Sequence, residues 1–139
     1  RQTMFAEFEQ AAHGAYSEGE PLTAEMLCDL YYDLNKKYYG DAVNHNELIK
    51  YEWARIPHFY SSFYVYKYAT GLTAAISIAS SILNGGGTDK YFKFLSAGGS
   101  MPPLEILKLA DVDMYTLEPF EKAMKEFADT LSALEDEFE

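Results

Sequence analysis

The residues of this chain best suited to chemistry lie between Tyr51 and Tyr68. That stretch reads YEWARIPHFYSSFYVYKY and gathers five of the twelve tyrosines with Trp53, Phe59, Phe63 and His58. A buried phenol demands a hydrogen-bond partner, so helical cores that need only packing use Leu and Phe. Clustered phenols therefore point to a lined, wet cavity with O–H donors on its wall. His58 follows a proline, where a loop can aim the imidazole into a cleft as hydrogen-bond donor, general acid or general base. For any single tyrosine here, plain core packing is the alternative. In a helix begun near Tyr60, positions 60, 64 and 68 share one face while 59, 63 and 66 turn towards another, so the whole set cannot line one pocket.

A complete hydrolytic site is missing from the sequence. It has no H-E-x-x-H, no G-x-S-x-G elbow and no Walker A loop, and His45-Asn46-Glu47 lacks a second histidine. His13 and His45 have no chemical neighbours in sequence. Cys28 sits beside Leu27 within an amphipathic pattern and reads as a buried structural thiol. Gly85-Gly86-Gly87 and Gly98-Gly99-Ser100 follow no strand, as a phosphate-binding loop would, and read as helix-ending loops.

The elements that must position the cluster are helices. Met4, Phe5, Phe8, Ala11 and Ala12 recur at three- and four-residue intervals, which predicts a first amphipathic helix to about Ser17. Thr23 is the expected N-cap of a second helix whose stripe is Met26, Leu27, Leu30, Tyr31 and Leu34, with Gly40 as its C-cap. A short helical stretch around 47–53 runs into Ile56-Pro57, where proline breaks it. A long helix is expected from about Tyr60 to Leu83, then a short one capped by Thr88, another begun by Pro102-Pro103, and a last from about Leu117 with a long apolar face. No strand alternation or fixed repeat is present, so the expectation is an all-α, multi-helix fold, with residues 1–139 forming a single helical domain.

A net charge of −11 disfavours nucleic acid and anionic membranes, whose phosphates need Lys and Arg. The longest apolar stretch, from Thr70 to Leu83, is too short and too interrupted by Gly and Ser to span a bilayer. One cysteine and no zinc-type Cys/His spacing give no sign of an oxidising compartment, and a cytoplasmic protein is expected. A first residue of Arg1 in an already helical pattern suggests a chain cut from something longer.

Five blocks, RQTMFAEFE at 1–9, EWARIPHFY at 52–60, FYVYKYATG at 63–71, YFKFLSAGGS at 91–100 and PLEILKLADVDM at 103–114, closely resemble the oligoendopeptidase F branch of the thimet-type zinc metallopeptidases. The match runs in order over nearly the whole chain. The resemblance implies a C-terminal, all-helical catalytic-lobe fragment of a longer enzyme that hydrolyses short peptides. It implies zinc in the full-length enzyme, held by an upstream H-E-x-x-H helix and a more distant glutamate, with no zinc ligand within this chain, so the fragment alone is expected to be inactive. His58, Tyr60 and Tyr66 match the histidine and tyrosines that the family turns to the peptide carbonyl. Tyr64 is the reserve candidate and, with Arg55, a substrate-binding one; Arg55 alternatively braces the loop. The implied partners are short peptides and the N-terminal remainder of the same enzyme, and self-association is expected of a lobe with exposed apolar helices. The alternative is a non-catalytic helical module that uses the aromatic cluster as a peptide-docking groove.

Overall fold

The expected apolar stripes and caps fold as expected at the start of the chain. The structure, a computed structural model, describes residues 1–138. Helix α1 (Gln2–Ser17) buries Met4, Phe5, Phe8, Glu9 and Ala12 along one face. In α2 (Ala24–Tyr39) the Thr23 hydroxyl accepts a hydrogen bond from the Met26 amide at 3.2 Å. Glu25 in its first turn and Lys36 and Lys37 in its last complement the helix dipole. Gly40 ends it at φ 63°, a left-handed value open to glycine at little cost.

Two 3₁₀ segments follow, Glu47–Arg55 and Pro57–Tyr60, separated at Ile56 as the proline requires. Then come α3 (Tyr66–Ser81), a π-type turn at Ile82–Gly86, α4 (Asp89–Ala97), α5 (Pro103–Lys108) and α6 (Glu118–Asp136). All of these are helical, and no strand occurs among the described residues. No helix among them is long and apolar enough to cross a membrane.

Two compact units divide the chain, Arg1–Ala69 and Thr70–Glu139. The first is organised by aromatic packing. Phe8 meets Tyr31 edge-on at 5.4 Å and Phe59 at 5.0 Å between ring centroids, and Phe5 meets Phe59 edge-on at 5.4 Å. Met4, Leu34, Ile56 and Val65 complete this core. Cys28 is buried and free, and its sulfur receives the Trp53 indole N–H at 3.4 Å. His45 ties down the loop after α2: its Nε2 donates to the Gly40 carbonyl and its Nδ1 meets the Asn35 side chain, both at 2.8 Å.

In the second unit, Ser77 on α3 donates to the Pro119 carbonyl at 3.4 Å, and Ile106, Ala110, Val112 and Ala123 are buried. The glycine run acts as expected. Gly85 turns to φ 86°, and a Cβ on Gly86 would lie 2.7 Å from the Ser81 carbonyl oxygen, so no other residue fits there without a shift. Thr88 stands at the N-cap of α4, but its backbone is αR and its side chain makes no capping bond. Along α6, Met124, Phe127, Leu131 and Leu134 are exposed.

One expectation fails where it matters most. Helix α3 starts at Tyr66, not near Tyr60, because Phe63 adopts φ 56° and its amide donates to the Glu9 carboxylate on α1 at 2.6 Å instead of entering a helix. A phenylalanine in the left-handed region costs on the order of 1–2 kcal/mol, which the charged acceptor offsets. The shared helical face assumed for Tyr60, Tyr64 and Tyr68 therefore does not exist.

Two carboxylates outside that turn tie the first unit together. Glu52 accepts from the fully buried Tyr31 hydroxyl at 2.6 Å and pairs with Arg1 and Arg55. Burial, then the Glu52 carboxylate, hold the Tyr31 phenol well above its ordinary pKa, so it stays a donor. Replacing Glu52 by Ala orphans that hydroxyl and should cost about 1–3 kcal/mol, more than the roughly 1 kcal/mol expected for Tyr31→Phe; denaturant unfolding of the two variants checks the order. Glu7 accepts from Lys37 at 2.5 Å and from Tyr38 at 2.7 Å, bonds that hold its carboxyl below the ordinary carboxylate range. A depressed carboxylate stabilises the fold above its unfolded pKa and loses that contribution as pH falls through the folded one. Glu7→Gln should thus melt earlier than wild type at neutral pH, by no more than about 1 kcal/mol because the pair is exposed, and the two should converge as the buffer is taken from about pH 5 towards pH 3.

Candidate functional site

The sequence cluster becomes a site because its two halves are anchored separately in the core of the first unit. Before the turn, Phe59 packs on Phe5 and Phe8. After it, Val65 is fully buried. Between those anchors the chain doubles back through Ser61–Tyr64, bringing the 3₁₀ segment that carries His58 against the start of α3. The Lys67 and Tyr68 amides donate to the Tyr64 and Val65 carbonyls at 3.3 and 3.2 Å and begin that helix.

His58 lies flat on the Tyr64 ring, with centroids 5.2 Å apart and planes 14° apart. Tyr68 meets the imidazole edge-on at 5.7 Å, and its hydroxyl lies 3.3 Å from His58 Nε2. Tyr64 and Tyr68 also pack edge-on at 5.8 Å, so the three rings form one closed group. The Lys67 ammonium stands 4.9 Å over the Tyr64 ring. Tyr68 is held above its ordinary pKa, first by hydrogen bonding with the Tyr64 hydroxyl and then by burial. A phenol so shifted remains protonated and keeps its O–H to donate.

The other expected residues lie apart from this group. Tyr60 donates its proton to the Ala54 carbonyl at 2.9 Å. Tyr66 is the first residue of α3 and is half exposed. The guanidinium of Arg55 pairs with Glu52, bracing the 3₁₀ segment from its exposed side. Two further residues stand outside the sequence-based site candidates. Tyr68 is signalled only by its four-residue spacing from Tyr64. Glu9 is signalled as a charge within the apolar stripe of the first helix, at a position that proves 4% exposed. His13 also gains a partner, its ring packing on Phe63 at 4.5 Å.

Behind the loop, on the α1 side, is a cavity of about 400 Å³, mostly apolar and lined by Phe8, Glu9, His13, Trp53, Phe59 and Tyr60 among others. The His58 group and this cavity share the 3₁₀ segment Pro57–Tyr60, with His58 on the tyrosine side and Phe59 and Tyr60 lining the cavity. Among the described residues no three His, Cys, Asp or Glu side chains converge as metal ligands. What the group offers is an imidazole and phenolic O–H donors held by packing, suited to an oxygen atom that gains negative charge.

Known proteins carry the same arrangement of sequence. Residues 1–126 match the family described as Peptidase family M3. The chain is 52% identical over 138 residues to oligopeptidase PepF of Bacillus subtilis strain 168, covering 98% of this chain and 21% of that protein. It is 49% identical to the plasmid oligoendopeptidase F of Lactococcus lactis subsp. cremoris, covering 97% of this chain and 23% of that one. The crystal structure of oligoendopeptidase-F from Enterococcus faecium superposes with a TM-score of 0.92 at 47% identity, covering 98% of this chain and 26% of that one. The chain thus spans about a fifth to a quarter of the relatives it matches. The resemblance carried by the IPHFY and FYVYKYATG blocks holds over the whole fold, and the chain belongs to peptidase family M3.

Proposed function

We propose that this chain forms part of the catalytic lobe of a zinc-dependent cytoplasmic oligoendopeptidase, presenting hydrogen-bond donors to the scissile carbonyl of short peptides. The observation that carries this reading is the closed group of His58, Tyr64 and Tyr68, rigidly mounted on an aromatic core within blocks shared with oligoendopeptidases. The donor set here does not fit a zinc ion, since no three potential ligands converge among the described residues. The metal belongs, on this reading, to ligands in the N-terminal remainder of the same enzyme, and the chain alone has no activity. An isolated lobe, with the apolar side of α6 exposed, self-associates.

On this reading each of the chain's own residues has a distinct role. Stacking on Tyr64 sets the plane of the imidazole, and a nitrogen of His58 donates to the carbonyl oxygen as charge builds on it. Tyr66, at the mouth of α3, supplies a phenolic donor to the same oxygen. Tyr60 contributes only after exchanging its bond to the Ala54 carbonyl for the substrate. Tyr64 borders the peptide, whereas Arg55 holds its segment through Glu52.

These roles separate kinetically. In the full-length protein, Tyr66→Phe should lower kcat on a short peptide by about a hundredfold while KM moves by less than about threefold, because the bond strengthens only as the oxyanion forms. His58→Ala should behave likewise, and a metal chelator should abolish turnover in wild type and both variants. Unchanged kcat in both variants would remove this cluster from the chemistry.

A further inference from the structure

We infer that Glu9 is a positioning residue for the His58–Tyr64 pair, acting from α1 through the Phe63 amide; this rests on the catalytic reading of that pair given above. A carboxylate on the core face of an amphipathic helix, 4% exposed, carries a desolvation cost that packing cannot repay. Its hydrogen bond, at 2.6 Å, goes to the amide of the one residue between His58 and α3 with a left-handed backbone. The turn's other contacts with α1 and the core are between rings and aliphatic groups. Phe59 on Phe5 and Phe8, Val65 in the core and Phe63 against His13 fix how deep the chain sits and how its rings lie, but none of them holds a backbone group of the turn. The bond to the amide is directional, and it sets the rotation at Phe63 on which the return of the chain depends. With an ordinary negative φ at Phe63, the chain leaving Tyr60 would not bring Tyr64, six positions after His58, back over the imidazole. Glu9 thereby governs the ring plane of His58 without touching it.

The test uses the full-length protein with Glu9→Gln, which keeps the size of the side chain and removes the charge. Hydrogen exchange followed by mass spectrometry should show the amides of 61–66 exchanging about tenfold faster while α1 and α2 keep their protection, and kcat should fall by about tenfold with little change in KM, the size expected for a charged acceptor replaced by a neutral one. Adding Phe63→Asn, a residue that enters the left-handed region more readily, should restore much of both the slow exchange and the turnover, even where Glu9→Gln alone folds poorly. The inference falls if 61–66 exchange at the wild-type rate, if α1 and α2 loosen equally, or if the asparagine brings no recovery. It falls as well if the turn loosens and kcat holds while His58→Ala still abolishes turnover. If His58→Ala is itself without effect on kcat, the catalytic reading has failed and takes the inference with it.

Discussion

The ring of Phe8 is the point through which the first unit is assembled. It touches Tyr31 from α2, Trp53 from the first 3₁₀ segment and Phe59 from the second, so one side chain on α1 fixes three elements distant in sequence. Edge-on and tilted ring pairs add about 0.5–1.5 kcal/mol each beyond the area they bury, and they hold orientation as well as distance. Fixing Phe59 also places its neighbour His58, which packs on Tyr64 and Tyr68. One short helix thus gives one ring to the core and the next to the His58–Tyr64–Tyr68 group.

Three carboxylates around this core do different work because their surroundings differ. Glu7 is only half-buried, and its bonds to Lys37 and Tyr38 across α1 and α2 are partly screened by water. Its effect on the partner phenol is still visible: burial and the Glu7 carboxylate together push Tyr38 up to about 12. Glu52 is largely buried and satisfies a core hydroxyl on one oxygen while meeting two guanidiniums on the other. Glu9 is buried deepest and serves a backbone amide. Their order of burial is also the order in which the bond becomes a constraint on chain path, from a surface strap to a core tie to a turn.

What could be read in advance was whatever depends on neighbours in sequence. The stripes of the first two helices, the Thr23 cap, the Gly40 stop, the break at Pro57 and the glycine-forced end of α3 all follow from local sterics and local hydrogen bonds. The start of α3 did not, since Tyr60 to Val65 has an acceptable helical pattern and the bond that overrides it comes from Glu9, fifty-four residues away. The same gap hid Tyr68 as a partner of His58, because the rings meet through a turn and not along a helix face. Thr88 shows the converse: the right residue type at the right position, without the extended backbone that lets a hydroxyl reach the first turn.

The exposure of the phenols says how far this chain can go alone. Tyr60 is 72% exposed, and Tyr64, Tyr66 and Tyr68 are between 41% and 48% exposed. A hydroxyl that is already hydrated gains little by donating to an oxyanion, since it exchanges one good acceptor for another. Preorganised donors stabilise charge strongly only where water is excluded and the local dielectric is low. The aromatic core supplies the first of those conditions by holding the rings in place. The second has to be met by surface brought over them, and on the proposed reading that surface belongs to the N-terminal remainder of the same enzyme.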